Sequence, residues 1–217
     1  MQQIKLTTGE TFTPGKIIGL GRNYLDHIRE LGNSVSERAV IFCKPPTSLV
    51  ENGGTVVIPD YSCDCHHELE LALLIGLKGK NIPATAALQH IAGYAVALDL
   101  TLRDLQSELK NAGLPWDIAK GFDTSCPLSA FTPAAAVANP NRLELRLLVN
   151  GELRQQGNTA QMMRSVEEIV AEISTYFTLE PGDIILTGTP AGVARINSGD
   201  RLEGTIDGVG QLCVTVA

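Results

Sequence analysis

Glycine and proline interrupt this sequence so often that long regular segments are not expected. Its 217 residues include 21 Gly and 11 Pro, distributed over the whole length. Most of the periodic segments between them are short, as is typical of strands joined by tight turns. We therefore predict an α+β fold that is rich in strands and contains a few short helices.

Neither a repeat nor a linker divides the chain, so we predict one main domain with a small appendage. The segments IKLTT and ETFTP alternate in polarity on either side of Gly9, which predicts a β hairpin. We assign residues 1–15 to this appendage and residues 16–217 to the main domain. Further along, Asn150-Gly151 joins two alternating segments and predicts a two-residue type I′ turn.

Apolar runs and capping residues locate the main elements. Buried strands are predicted at residues 16–21, 68–75 and 93–100, the second with one end open to solvent. Three helices are predicted from capping signals: one from Tyr24 to about Leu31 with Asn23 as its N-cap, one from Thr101 to about Asn111, and one from the Ser165–Glu168 capping box to about Phe177.

Charge and cysteine content limit the expected partners and compartment. The formal net charge is -7, and the chain has no Lys/Arg-rich run, so neither a nucleic acid nor a membrane is an expected partner. No apolar run approaches the roughly 18 residues that span a bilayer, and the N-terminus lacks a signal-peptide core. The five cysteines are irregularly spaced, which favours reduced thiols. We expect a soluble, cytoplasmic protein.

Three acidic residues form a candidate metal site. Glu68 and Glu70 are two residues apart on a predicted strand, so their side chains project from the same face. Asp99 ends a second apolar strand, where a third carboxylate can converge on the first two. Such hard oxygen ligands suit Mg²⁺, Mn²⁺ or Ca²⁺ better than zinc. The alternative is that the two glutamates line a solvated strand face.

A second cluster suggests a different metal. Cys63, Cys65, His66 and His67 give the pattern C-x-C-H-H, which contains the soft ligands that zinc prefers. Ligands spaced this closely rarely surround one tetrahedral ion, and no second Cys/His pair follows elsewhere in the sequence. We therefore favour the carboxylate site.

A histidine and a glutamate form a candidate acid–base pair. His27 and Glu30 are three residues apart on a predicted helix, so they share a face and can touch. A carboxylate beside an imidazole fixes its tautomer and makes it a base able to activate water. An ordinary surface pair has the same spacing and remains the alternative.

Other polar residues are candidates for binding a substrate. Lys120 lies in a mixed loop, from which a lysine can stabilise developing negative charge. Lys44 and Arg103 are further candidates, although all three residues are also compatible with solvated positions. The segment TGTPAGV (187–193) can hold a carboxylate with its backbone N–H groups, or it can be a plain turn.

Taken together, these segments resemble the fumarylacetoacetate hydrolase family, in the short bacterial form similar to acylpyruvases. The resemblance covers the chain from about residue 16 to its end. The motifs occur in the family's order: GRNYLDHIRE (21–30), IFCKPPTSL (41–49), HHELELALLIG (66–76), GYAVALDLTLRDLQ (93–106), AKGFDTSCPLS (119–129) and LTGTPAGV (186–193).

The resemblance implies a mixed β-roll or sandwich core, a homodimer, and Mg²⁺ or Mn²⁺ bound by three carboxylates. By motif position the metal ligands are Glu68, Glu70 and Asp99, and the catalytic residues are His27, Glu30 and Lys120. The residues placed near the substrate are Arg22, Lys44, Arg103, Gln106 and Thr189. The chain departs from the family pattern at Leu98 and Gly121, where members often carry Asn and Ser. These departures bear on substrate preference.

The implied activity is the C–C bond chemistry of small 2-oxo acids. We expect hydrolysis of acylpyruvate-type 2,4-dioxo acids, with oxaloacetate decarboxylation as a second activity. An isomerase or tautomerase of 2-oxo acids, such as oxaloacetate or a hydroxyhepta-dienedioate, is the alternative within the family. A non-catalytic sugar-binding module is disfavoured because aromatic residues make up only 5% of the chain. The polar stretch at about 30–40 is a candidate lid over the substrate.

Overall fold

The computed structural model describes residues 3–32, 34–35 and 38–217. Their strands are, in chain order, β1 (Ile4–Lys5), β2 (Thr11–Phe12), β3 (Ile17–Gly21), β4 (Val40–Lys44), β5 (Leu49–Glu51), β6 (Thr55–Val56), β7 (Cys65–His66), β8 (Leu69–Ile75), β9 (Ile91–Leu98), β10 (Thr101–Leu102), β11 (Cys126–Leu128), β12 (Thr132–Pro133), β13 (Glu144–Val149), β14 (Glu152–Asn158), β15 (Ile184–Leu186), β16 (Arg201–Ile206) and β17 (Gly210–Val216).

The helices are few and short, as predicted. The α-helices are α1 (Leu25–Glu30), α2 (Arg103–Ala112), α3 (Asp117–Lys120) and α4 (Val166–Tyr176). Short 3₁₀ turns cover Pro46–Ser48, Ala84–His90, Ala134–Ala136 and Thr159–Gln161. Among the described residues, no helix has both the length and the apolar composition required to cross a membrane. The candidate lid includes Asn33, Ser36 and Glu37, which lie outside the described residues.

Two mixed sheets build the core. The larger has the strand order β4-β3-β15-β8-β9-β11-β5, with β12 also paired to β9, and the smaller has the order β14-β13-β16-β17-β6. A continuous apolar cluster lies between them, contributed by both sheets and by α4. The two sheets approach closely at Gly204 of β16, because a Cβ there would lie 2.8 Å from Leu69 Cδ1. The predicted strand-rich sandwich is confirmed.

A second apolar cluster covers the opposite face of the larger sheet. The predicted N-terminal hairpin is present as β1 paired with β2, and its Ile4 joins Ile17 and Phe131 in this cluster. The hairpin therefore packs against the main domain. Because both faces of the larger sheet are covered, β8 is buried at every position. The prediction that one end of this strand is open to solvent is wrong.

One predicted helix cap and the predicted type I′ turn are present. Ser165 caps α4 in a capping box with Glu168, and Asn150-Gly151 joins β13 to β14 with positive φ at both residues. Two other caps are wrong. Asn23 does not cap α1, because its side chain instead binds the main chain at Arg164 and Thr187.

The predicted N-cap of α2 is also wrong. Thr101 lies in β10, and its hydroxyl donates to Asp99 O, so the helix begins only at Arg103. Asp104, in the first turn of α2, accepts hydrogen bonds from Ser62 Oγ and Cys63 N. The helix ends at Ala112, close to the predicted end at about Asn111, and Gly113 follows it in a left-handed conformation.

Candidate active site

Antiparallel pairing of β8 with β9 brings the three predicted carboxylates together. Glu68 immediately precedes β8, Glu70 lies within it, and Asp99 follows β9. Asp99 N donates to Glu68 O over 2.8 Å, which continues the ladder by one step. One oxygen from each carboxylate lies within 4.8 Å of the other two, and all three side chains are buried.

Three cations neutralise this acidic cluster. Lys120 Nζ lies 2.8 Å from Glu68 Oε2 and 2.5 Å from Asp99 Oδ2. Arg103 donates to the other oxygen of Glu68. Lys44 Nζ lies 2.7 Å from Asp99 Oδ1. Three buried carboxylates therefore face three buried cations, which is the condition for burying such charges at all.

The surrounding charges affect the two glutamates differently. Burial opposes ionisation of Glu68, but the charges of Arg103 and Lys120 outweigh it and hold the pKa of Glu68 well below its usual range. Burial raises the pKa of Glu70 well above its usual range, and the charges of Asp99 and Glu68 raise it further. Burial disfavours the charged form of Lys120, yet Asp99 and Glu68 outweigh this and raise its pKa, so it remains an ammonium ion.

The cluster has the features that a hard divalent cation requires. Gly188 N donates to Glu70 Oε2 over 2.6 Å. Asp99 Oδ1 makes no hydrogen bond of acceptable geometry to any described residue. Its contact with Lys44 is an ion pair. Oxygen lone pairs on two carboxylates thus remain available, and carboxylate oxygens are preferred ligands of Mg²⁺, Mn²⁺ and Ca²⁺. The residues therefore fit a divalent metal.

The alternative zinc cluster does not assemble. His66 Nε2 lies 3.0 Å from Asp64 Oδ1, and His67 Nδ1 lies 2.9 Å from Gln155 Oε1. Cys63 is exposed. Within residues 3–32, 34–35 and 38–217, the three carboxylates are the only group of three or more potential ligands that converges on one point.

The predicted acid–base pair is formed on α1. His27 Nδ1 lies 3.2 Å from Glu30 Oε2, and Glu30 Oε1 accepts a hydrogen bond from Gly192 N over 2.9 Å. An ionised carboxylate can only accept, so His27 carries its proton on Nδ1 and leaves Nε2 as the basic nitrogen. The loop that contains Gly192 thus holds the carboxylate that orients the imidazole.

One cavity of about 140 Å³ joins the pair to the acidic cluster. Six of the predicted site residues line it: Arg22, His27, Glu68, Arg103, Gln106 and Lys120. Arg103 Nη1 also donates to Gln106 Oε1 over 2.8 Å, which fixes the amide beside the guanidinium. Arg22 lies at the cavity wall with a left-handed backbone (φ 62°), which is uncommon for a residue other than glycine.

Two predicted substrate residues lie outside the cavity lining. Lys44 is buried, and its ammonium donates to main-chain oxygens of Leu100 and Ser125 as well as facing Asp99. Thr189 is buried and accepts a hydrogen bond from Gln155. The structure therefore places Lys44 as a counter-ion to the cluster, whereas Thr189 lies in the loop that contacts Glu70.

Several lining residues were missed by the sequence reasoning. Ser107 and Lys110 line the cavity from α2, and Phe42 and Trp116 line it from other segments. The Phe42 ring centroid lies 4.5 Å from Lys120 Nζ, a cation–π distance. The helical positions are four and seven residues beyond Arg103, so helical periodicity alone would have identified them.

The departure at Gly121 has a structural reason. A Cβ at this position would lie 2.8 Å from Asp117 O and 2.9 Å from Pro45 Cδ. The turn that follows Lys120 therefore leaves no room for a serine side chain unless the backbone shifts. The other departure, Leu98, is a buried core residue of β9.

Fold and site together are those of a metal-dependent enzyme whose ligands are carboxylates. The sequence model described as fumarylacetoacetate (FAA) hydrolase C-terminal matches residues 16–217. The chain is 48% identical over 193 residues to the mitochondrial oxaloacetate tautomerase FAHD1 of Mus musculus, covering 89% of this chain and 87% of that protein. The chain belongs to the fumarylacetoacetate hydrolase family.

Solved structures show the same fold. The fumarylpyruvate hydrolase of Pseudomonas aeruginosa, determined in complex with Mn²⁺ and pyruvate, superposes with a TM-score of 0.96 at 38% identity, covering 100% of this chain and 95% of that one. A 5-carboxymethyl-2-hydroxymuconate delta-isomerase from Mycobacterium smegmatis superposes with a TM-score of 0.85 at 37% identity, covering 95% and 80%. Similar structures thus include both a hydrolase and an isomerase.

Proposed function

We propose that this chain hydrolyses the C–C bond of acylpyruvate-type 2,4-dioxo acids, with decarboxylation of oxaloacetate as a second activity. The observation that carries this proposal is the shared cavity, because a base (His27), an ammonium (Lys120) and a candidate metal ligand (Glu68) all line it. These are the groups needed to activate water and to stabilise negative charge on a 2-oxo acid.

The cofactor proposed is Mg²⁺ or Mn²⁺, with Ca²⁺ as the alternative. Glu68, Glu70 and Asp99 are the residues that would hold it. A divalent cation bound there supplies Lewis acidity, which lowers the energy of negative charge developing on a 2-oxo acid. Support comes from the hard oxygen donors and from the relative solved with Mn²⁺ and pyruvate.

The chain's own residues account for the proton transfers of hydrolysis. His27 Nε2 removes a proton from water while Glu30 holds the imidazole, and the hydroxide adds to the acyl carbonyl. The ammonium of Lys120 opposes the charge on the resulting oxyanion. The C–C bond then breaks and its electron pair passes to C3 of the pyruvate portion. The imidazolium of His27 returns the proton taken from water to C3, which gives pyruvate and a carboxylic acid. Arg22, Arg103 and Gln106 would orient the substrate carboxylate.

A metal-supplemented screen of 2-oxo and 2,4-dioxo acids tests this function. Release of pyruvate from an acylpyruvate in the presence of Mg²⁺ or Mn²⁺ is the expected result. His27→Ala should abolish that hydrolysis but leave oxaloacetate decarboxylation, which needs no attack by water. A wild-type enzyme that never hydrolyses any acylpyruvate would contradict the hydrolase proposal.

A second candidate, tautomerisation of oxaloacetate, is favoured by the similarity to the 48% identical relative. In this reaction His27 would remove a proton from C3, a proton would be added to the oxygen on C2, and no bond between carbons would break. Faster loss of the oxaloacetate enol without pyruvate release would distinguish this activity from the first.

For the assembly we propose a homodimer, and for the location the cytoplasm. Val57, Tyr61 and Ile118 are each more than half exposed and line an apolar groove outside the active-site cavity. All five cysteines are unpaired, which supports a reducing compartment. Sedimentation velocity tests the assembly, with Ile118→Asp expected to shift the protein to a monomer. A wild-type monomer at micromolar concentration would contradict it.

A further inference from the structure

One buried amide contacts both the carboxylate strand β8 and the loop of residues 187–193. Gln155 lies in β14 and is fully buried. Its Oε1 accepts from Leu69 N over 3.0 Å and lies 2.9 Å from His67 Nδ1. Its Nε2 donates to Thr189 Oγ1 over 2.8 Å and to Pro190 O over 2.9 Å. Both acceptor positions and both donor positions of the amide are therefore used.

The orientation of this amide is determined by its main-chain partners. Leu69 N can only donate and Pro190 O can only accept, so the oxygen and nitrogen of Gln155 cannot be exchanged. His67 Nδ1 must then donate to Gln155 Oε1, which makes His67 the Nδ1–H tautomer. Its Nε2 is buried without a partner among the described residues, as suits a bare lone pair better than an unpaired N–H.

The two segments that Gln155 connects carry different parts of the site. Leu69 lies between Glu68 and Glu70 in the sequence. The loop of residues 187–193 contacts Glu70 through Gly188 N, at 2.6 Å, and Glu30 through Gly192 N, at 2.9 Å. Between these two contacts the loop is held by Gln155. The amide therefore lies at the junction of the carboxylate strand and the loop that supports the base.

We propose that Gln155 is a positioning residue that sets the separation between the carboxylate cluster and the His27–Glu30 pair. It also holds Thr189, whose hydroxyl oxygen accepts a hydrogen bond from Gln155 Nε2. The catalytic part of this inference depends on the proposed function, whereas the hydrogen-bond geometry does not.

Histidine-selective ¹⁵N NMR of the metal-free protein tests the geometry directly. The chain has four histidines, so their signals can be assigned by substitution. His67 should appear as the Nδ1–H tautomer in the wild type and lose that preference in Gln155→Met. The Nε2–H tautomer in the wild type, or an unchanged His67 signal in folded Gln155→Met, would overturn the proposal.

Turnover and metal binding test the positioning role. Gln155→Glu keeps an acceptor for Leu69 N but removes both donors to the loop, so kcat should fall about 10- to 100-fold while KM changes less. The manganese EPR spectrum of the loaded variant should also change. Gln156→Glu is the matched control, because Gln156 is the next residue of β14 and is exposed.

A double variant separates positioning from a general structural effect. If Gln155 acts through the base, Gln155→Glu should not lower the oxaloacetate decarboxylation that remains in a His27→Ala background. A loss of that decarboxylation as large as the loss of hydrolysis in the single variant, or a wild-type EPR spectrum and kcat in Gln155→Glu, would overturn the positioning role. Absence of both Mn²⁺ binding and 2-oxo acid turnover in the wild type would instead refute the proposed function, and with it the catalytic part, while the NMR result still decides the geometry.

Discussion

The ammonium nitrogen of Lys120 lies 2.8 Å from Glu68 Oε2, although the two residues are 52 positions apart in the sequence. Arg103 binds the other oxygen of the same carboxylate. Glu68 therefore has two cationic partners. Glu70 has a hydrogen bond from Gly188 N and two anionic neighbours. The two glutamates of one motif should therefore differ in their effect on the stability of the metal-free protein.

Replacing the two glutamates one at a time should separate stability from metal binding. Glu68→Gln leaves the buried Arg103 without its carboxylate partner and Lys120 with Asp99 alone. We therefore expect the free energy of unfolding to fall by about 3–5 kcal/mol. Glu70→Gln removes a carboxylate that is unfavourable where it lies, so this free energy should change by less than about 1 kcal/mol. Both variants should lose Mn²⁺ affinity. Urea denaturation and calorimetry measure the two quantities, and equal destabilisation would contradict the expectation.

The role of Glu30 can be tested without removing the base. His27 Nδ1 and Gly192 N contact different oxygens of Glu30. In Glu30→Gln one of these two oxygens becomes an NH₂ group, which cannot accept a hydrogen bond from the donor that faces it. The imidazole then loses its fixed tautomer, and kcat should fall by about 10²- to 10⁴-fold with little change in KM. Steady-state kinetics measure this. Asp26→Asn, on the exposed side of the same helix, is the control and should match the wild type.

Lys110 should select for a second carboxylate on the substrate. It lines the cavity seven residues beyond Arg103 on α2. Lys110→Met should raise KM for oxaloacetate by about 3- to 10-fold through loss of a charge-assisted contact, with kcat unchanged. The same substitution should leave KM for a monocarboxylic dioxo acid unaltered. Equal effects on both substrates would argue against a contact with the distal carboxylate.

The buried thiols predict how stability depends on pH. Burial raises the pKa of Cys65 and of Cys126 to about 12, from an ordinary value of 9.0. Above pH 9 the unfolded chain loses these protons while the folded chain keeps them, so the free energy of unfolding should decline between pH 9 and 12. Cys126→Ala should reduce this decline. At pH 8 a thiol reagent should modify exposed Cys63 in the native protein and spare both buried residues.

Local signals in the sequence were sufficient for much of the fold. The Ser165 capping box and the Asn150-Gly151 turn each depend on residues within a few positions, and both are present. The spacing of Glu68, Glu70 and Asp99 also identified a cluster that the structure assembles. In that case one apolar strand begins and the next one ends at acidic residues, so antiparallel pairing of these two neighbouring strands is enough to bring the carboxylates together.

The failures involve partners far away in the sequence. Asn23 has the ordinary signature of an N-cap, but its side chain binds residues 141 and 164 positions away. Gln155 resembles any polar residue in an alternating strand, and its partners are 34 to 88 positions distant. Nothing local distinguishes such an amide from a solvated one, because its burial is decided by the packing of β14 against another segment.

The hydrogen bond from Asp99 N to Glu68 O means that two candidate metal ligands are attached to adjoining strands of the central ladder. Their spacing is inherited from the sheet and does not require the ion. Treatment with a chelator should therefore stop turnover while leaving the amide protons of β8 and β9 as slow to exchange as before, and readdition of Mn²⁺ should restore activity without a refolding delay. The cation would therefore bind and dissociate without a change in the fold of these two strands.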